Sequence, residues 1–115
     1  MKKVLIAEDN ESNYLLTSTI LKGKYTLDRA INGQEAVEKV ISEKPDIVLM
    51  DWKMPIMDGL EATAKIREFN TTLPIIALTA YAFEADKQKA LDAGCNAFIT
   101  KPIKIKELLA LLQEY

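Results

Sequence analysis

The chain has no histidine and a single cysteine, Cys95. Without histidine there is no Ser-His or Cys-His pair for nucleophilic catalysis and no imidazole ligand for a metal. One cysteine forms no disulfide within the chain and seeds no Cys/His cluster. Cys95 reads as a small apolar filler, and a reducing, cytoplasmic setting fits it. A dominant charge is missing as well: 15 basic residues against 17 acidic ones give a net charge of −2. That balance leaves no basic face for nucleic acid. No apolar stretch approaches the roughly 20 residues of a membrane span. The run Val4–Ala7 behind Met1-Lys2-Lys3 stops at Glu8 and Asp9, too short for a signal peptide. Repeats, low-complexity tracts and linkers are lacking. The expectation is one domain over residues 1–115, without membrane insertion or nucleic-acid contact.

What the chain does have is a rhythm: a short apolar run, a polar break, a helical pattern. Val4–Ala7, Ile47–Met50, Ile75–Leu78 and Ala97–Ile99 are unbroken apolar runs, as in strands buried on both faces of a parallel sheet. Tyr25–Ala30 alternates and carries Asp28 and Arg29, which predicts an edge strand. Between the runs, Leu16 and Ile20 line a first helix after Asn10. Ala36, Val37, Val40 and Ile41 share a stripe behind an Asn32/Glu35 pair that resembles a capping box. Ala62, Ile66 and Phe69 recur at helical spacing. A weakly amphipathic helix over Glu84–Ala93 ends at Gly94, and Ile105, Leu108, Leu109 and Leu112 form the cleanest stripe. Five βα units in succession imply an α/β domain with a parallel sheet and right-handed crossovers. The order of strands in space stays open at this point.

The chemistry sits after the strands. The first runs into Glu8-Asp9-Asn10, the third into Asp51, the fourth ends at Thr79 and the fifth runs into Lys101-Pro102. In an open parallel sheet all of these lie on the carboxyl edge, where such folds bind ligands. Taken singly each has a plainer reading: a cap, a strand residue, a solvated charge. Taken together they put three carboxylates, one hydroxyl and one ammonium in one crevice. Two carboxylates about 5 Å apart repel by roughly 3 kcal/mol at an effective dielectric near 20, so three require a counter-ion beyond Lys101. An all-oxygen set suits Mg²⁺, or Mn²⁺ in its place. Asp9 and Asp51 are the direct ligands, with Glu8 holding a metal-bound water or ligating directly. A carboxylate nucleophile, a divalent cation and a lysine are the parts of phosphoryl transfer to an aspartate, with Asp51 as acceptor and the Thr79 hydroxyl donating to the phosphoryl group.

The segments Val4–Asn10, Asp51–Gly59 (Asp-Trp-Lys-Met-Pro-Ile-Met-Asp-Gly), Ile75–Ala80 and Lys101-Pro102 resemble the receiver domain of the response-regulator family of two-component signalling. The resemblance runs over essentially the whole chain. It implies a flavodoxin-like (βα)5 fold, a five-stranded parallel sheet in order 2-1-3-4-5 with helices on both faces. It also implies that Asp51 receives a phosphoryl group from the phosphohistidine of a histidine kinase or histidine phosphotransfer domain. Glu8, Asp9, Asp51 and the backbone carbonyl of Lys53 are the implied metal ligands, and Thr79, the Ala80 backbone and Lys101 hold the phosphoryl group. The Lys101-Pro102 bond is expected to be cis. Phe98 takes the aromatic switch position, through which Thr79 remodels the face of the fourth helix, fifth strand and fifth helix for an output domain or protein. That face carries Lys87, Lys89, Asp92 and Lys106, which read first as solvated charges and, as the alternative, as pairs across a phosphorylation-dependent dimer. Lys53 and Tyr81 stand where side chains set phosphate lifetime, and a cation and an aromatic there imply slow self-dephosphorylation. Met57–Thr63 and Ile76–Ala80 are worded like receivers attached to hybrid sensor kinases.

Two enzymatic or carrier rivals fit less well. A haloacid-dehalogenase-like phosphatase needs a second aspartate two residues after Asp51, and Lys53 stands there. A flavin-mononucleotide carrier needs a Ser/Thr/Gly-rich phosphate loop after the first strand, where Glu8-Asp9-Asn10 repels phosphate. The chain is expected to be a signalling switch that catalyses only its own phosphorylation and dephosphorylation. A receiver that binds partners without being phosphorylated is the remaining alternative, and the full set of acceptor-site residues argues against it.

Overall fold

The computed structural model describes residues 1–80 and 83–115; Tyr81 lies outside the described residues. Five strands, β1 (Lys3–Ala7), β2 (Thr26–Ala30), β3 (Ile47–Asp51), β4 (Ile75–Thr79) and β5 (Ala97–Thr100), alternate with five helices. The helices are α1 (Glu11–Leu21), α2 (Gly33–Glu43), α3 (Gly59–Arg67), α4 (Glu84–Ala93) and α5 (Ile105–Leu112). All strand pairs are parallel, in the order β2-β1-β3-β4-β5, which is the implied order.

Side chains alternate across the sheet, and the two faces carry separate cores. Leu5, Ala7, Val48, Met50, Ile75 and Ala77 pack with Ala36, Val40, Ala62, Ile66 and Ala90 of α2, α3 and α4. Val4, Ile6, Ile47, Leu49, Ile76 and Leu78 pack with Leu21 of α1 and with Leu108 and Leu112 of α5. Every residue of β3 and β4 is buried, hence their unbroken aliphatic runs. β2 is an edge strand as its alternation predicts. β5 corrects the reading of Ala97–Ile99 as interior: it forms the other edge, and only Ile99 of its four residues is fully buried.

Side-chain caps start three helices. Asn10 accepts from the Asn13 N–H, Asn32 from the Glu35 N–H and Asp58 from the Glu61 N–H. The Asn32/Glu35 box is half made, because the Glu35 carboxylate pairs with Lys39 at 3.8 Å. Gly94 ends α4 at φ 110, the left-handed C-terminal position that glycine fills without a Cβ clash. Four residues assigned to apolar stripes are instead exposed: Leu16, Ile41, Phe69 and Ile105. In α1 the core face belongs to Thr17 and Leu21, and Phe69 lies past the end of α3. Cys95 is buried with its Sγ 3.9 Å from the Thr63 hydroxyl, and burial pushes its thiol up from its ordinary pKa; it is an apolar filler.

Candidate functional site

The register of the sheet assembles the site. Ala7 pairs with Met50, so Glu8 and Asp51 are the next residues along two adjacent strands. Asp51 pairs with Leu78, and Thr79 with Thr100, so Thr79 and Lys101 follow in step. By alternation, Glu8, Asp51 and Lys101 continue the face of Ile6, Leu49 and Ile99, toward α1 and α5. Thr79 continues the face of Ala77, which it shares with Phe98 on the α4 side.

The Lys101 ammonium donates to Glu8 Oε1 at 3.0 Å and lies 3.1 Å from Asp51 Oδ1. Glu8, Asp51 and Thr79 are all buried, at 1%, 5% and 2% exposure. One carboxylate oxygen from each of Glu8, Asp9 and Asp51 falls within 4.8 Å of the others, with Asp9 the exposed member. Burial, and then the Asp51 carboxylate beside it, pushes the Glu8 carboxyl up to about 7 from 4.5. Burial alone would lower the Lys101 ammonium, but the hydrogen bond to Glu8 and the charges of Asp51 and Glu8 outweigh it and raise its pKa. One ammonium is therefore shared between two buried carboxylates, with a third beside them. That surplus of negative oxygen, in a cluster of three carboxylates among the described residues, fits a hard divalent cation.

Asp51 opens onto a cavity of about 90 Å³ that it lines with Trp52, Lys53, Thr79, Ala80 and Lys101. It is far below the roughly 300–1,000 Å³ of a small-molecule site, so it suits a group of a few atoms. A larger groove of about 450 Å³, lined by Lys2, Lys24, Tyr25, Leu109 and Gln113, lies toward the opposite edge of the sheet and contains no carboxylate.

The surrounding backbone is tightly tied. The Gly59 N–H donates to the Trp52 carbonyl at 2.9 Å and the Lys101 N–H to the Thr79 carbonyl at 2.7 Å. A Cβ on Gly59 would fall 2.1 Å from the Asp51 carbonyl oxygen, so only glycine lets the loop after Asp51 close back on its strand. The Arg29 guanidinium donates to the Glu8 carbonyl at 3.2 Å, pairs with Glu11 at 2.8 Å and lies over the Tyr14 ring at 4.2 Å. The Lys101-Pro102 bond is cis, as the resemblance implies.

The structure brings Glu8, Asp9, Asp51 and Lys101 together, with Lys53, Thr79 and Ala80 lining the cavity beside Asp51. Phe98 lies outside the crevice, half-buried against the α2–α4 core, with the Lys87 ammonium of α4 5.1 Å from its ring centroid. The reading from sequence missed Arg29 behind Glu8, and Gly33, whose N–H donates to the Met57 carbonyl at 2.9 Å. An Asn-Gly dipeptide is a turn signal, but nothing in it tells which loop it packs against.

Known structures share this fold. A structure of the receiver domain of the sensor histidine kinase PA1611 from Pseudomonas aeruginosa, with a magnesium ion coordinated in the active site cleft, superposes at a TM-score of 0.92. It has 35% identity over 99% of this chain and 96% of that one. The receiver domain of Ssk1, solved with the Saccharomyces cerevisiae histidine phosphotransfer signaling protein Ypd1, gives a TM-score of 0.93 and 35% identity, covering 99% and 88%. Hybrid signal transduction histidine kinase G of Dictyostelium discoideum is 39% identical over 98% of this chain, which spans 4% of that kinase's length. The model of the response regulator receiver domain matches residues 4–113, and the chain belongs to that family.

Proposed function

We propose that Asp51 accepts a phosphoryl group from the phosphohistidine of a partner protein and that the acyl phosphate drives a change in a protein-binding face. One observation carries this reading: the single ammonium of Lys101 bridges Glu8 and Asp51 at 3.0 and 3.1 Å, beside Asp9, on a cavity too small for an organic substrate. With no histidine in residues 1–115, the phosphohistidine sits on another protein or domain, a histidine kinase or a histidine phosphotransfer protein such as the one solved with the Ssk1 receiver.

In this scheme an Asp51 carboxylate oxygen attacks phosphorus, the P–N bond breaks, and its electron pair returns to the donor's imidazole. Lys101 turns from Asp51 Oδ1 to a phosphoryl oxygen, the Thr79 hydroxyl donates to a second, and the Ala80 backbone N–H serves the same group. Glu8, Asp9, Asp51 and the Lys53 carbonyl are the residues that hold Mg²⁺ or Mn²⁺. When bound, the cation supplies positive charge against the charge spread over the phosphoryl oxygens. Water ends the cycle by attacking the phosphorus of the acyl phosphate, which releases inorganic phosphate and restores the Asp51 carboxylate, so the chain turns over only its own modification.

Thr79 and Phe98 share a sheet face, and Lys87 reaches the Phe98 ring. A shift of Thr79 toward the phosphoryl group therefore repacks the face of α4, β5 and α5, which is read by an output domain or protein or by a second copy of the chain. None of the described helices is long and apolar enough to cross a membrane, and we place the module in the cytoplasm as part of a larger two-component system or phosphorelay.

The test is incubation with Mg²⁺ and acetyl phosphate. The wild type gains one base-labile phosphoryl group, Asp51→Asn gains none, and chelation of the metal abolishes labelling. Equal labelling of the variant would overturn the reading.

A further inference from the structure

One residue of the loop after Asp51 has a backbone at odds with its side chain. Ile56 has φ 71, and the Met57 N–H donates to the Pro55 carbonyl at 2.7 Å. Together these make a γ-turn with a positive central φ, the rare and strained form, with Ile56 at its apex. Left-handed backbone crowds the Cβ of any L residue, and a β-branched side chain makes the crowding worse. Glycine would occupy the same position without that clash.

Nothing inside the protein compensates the strain, because Ile56 is 83% exposed. The turn is held from both sides instead. Met57 is buried and its carbonyl accepts from the Gly33 N–H, while the Gly59 N–H ties the far end to Trp52. A Cβ on Gly33 would fall 2.3 Å from the Met57 carbonyl oxygen, so the bracing element fits closely. An exposed isoleucine alone needs no explanation. An exposed isoleucine held in a conformation that glycine would fill better is strain of the kind found at functional positions.

The location indicates what the side chain meets. Asp51 is buried, and its cavity opens on the carboxyl edge of the sheet. Ile56 is on the loop leaving that edge after β3. Phe83 and Ile105, 72% and 57% exposed, follow β4 and β5 at the same edge. Residues 1–115 contain no histidine, so any phosphohistidine must arrive at this edge on another protein or domain. We infer that Ile56 is a docking anchor for that donor protein: an apolar knob, held out by the braced turn, that seats in an apolar patch beside the donor's histidine. This rests on the reading of Asp51 as acceptor and adds to it that protein donors, unlike small ones, are recognised through Ile56.

The test compares two kinds of donor on wild type, Ile56→Gly and Ile56→Met. Acetyl phosphate with Mg²⁺ labels all three at the same rate. With a panel of histidine phosphotransfer proteins carrying phosphohistidine, Ile56→Gly loses about tenfold or more in kcat/KM, mostly through KM, as expected when one aliphatic side chain leaves a contact. Ile56→Met, which keeps apolar reach, retains most of the transfer. Ile56→Gly melts at or above the wild-type temperature because the strain is gone. Wild-type transfer rates to Ile56→Gly would overturn the inference, and so would a wild type that acetyl phosphate labels but no donor on the panel does. A lower melting temperature for Ile56→Gly together with an impaired Ile56→Met would assign the side chain to folding instead. If acetyl phosphate labels nothing, the acceptor reading itself fails, and the two failures are distinguishable.

Discussion

The Lys101 ammonium and the Glu8 carboxylate, 93 residues apart in the chain, meet at 3.0 Å at the ends of β5 and β1. The same ammonium lies 3.1 Å from Asp51, so removing it leaves two buried carboxylates facing each other without a positive charge. Lys101→Met should cost about 2–4 kcal/mol of stability in the metal-free chain at pH 8, as when one partner of a buried ion pair is deleted. The cost should shrink at pH 5, where Glu8 is protonated, and Mg²⁺ should restore part of the loss. Denaturant titrations at both pH values, with and without the metal, check this.

Glu8 gives the pH dependence. Its carboxyl is pushed from 4.5 up to about 7 by burial and by Asp51. Between those values the folded chain keeps a proton that the unfolded chain has lost. The resulting stabilisation is full below 4.5 and is lost as pH rises through about 7. The metal-free melting temperature should therefore fall from pH 5 to pH 8 by more in the wild type than in Glu8→Gln. Because Mg²⁺ must displace that proton, its apparent affinity should rise with pH through about 7. Melting curves in chelator and isothermal titrations across that range measure both.

Gly59 tests the backbone of the site. A Cβ there would meet the Asp51 carbonyl oxygen at 2.1 Å and the Asp51 carbonyl carbon at 2.9 Å, and backbone cannot rotate away as a flexible side chain can. Gly59→Ala should destabilise by about 3 kcal/mol or more and slow labelling of Asp51. Gly23→Ala meets nothing within 4 Å at φ 84 and should cost only about 1 kcal/mol from backbone strain. Parallel denaturant titrations of the two variants compare a steric clash with conformational strain.

Lys53 lines the cavity beside Asp51. A long side chain at its mouth should screen the acyl phosphate from attacking water, so Lys53→Asn should shorten the phosphate's lifetime several-fold. Half-lives of the labelled chains after removal of the donor give the answer; equal half-lives would remove Lys53 from this role.

Much of this was legible in sequence because the burial of β3 and β4 on both faces leaves their runs unmistakable, and because parallel strands send every polar terminus to one edge. Glu8, Asp9, Asp51, Thr79 and Lys101 needed only that topology. The misses have physical reasons. β5 reads as apolar as an interior strand, yet among the described residues it is an edge with no strand on its outer flank. Leu16 and Ile41 keep helical spacing but sit one position off the buried Thr17 and Val40, since an apolar period alone does not fix which way a short helix is rolled; Ile105 keeps the spacing of Leu108 and Leu112 but is the first residue of α5 and is exposed. The Ile56 conformation was invisible, since a β-branched residue is the last type expected at positive φ; it exists because Gly33 and Gly59 hold the turn from either side.

The most direct test of the account is to locate the acyl phosphate. The chain is labelled with acetyl phosphate and Mg²⁺ and reduced with borohydride, which converts an aspartyl phosphate to homoserine, and the product is mapped by peptide mass spectrometry. The account predicts one modified position, residue 51, dependent on Mg²⁺. Modification at residue 9 or elsewhere with residue 51 intact would contradict it.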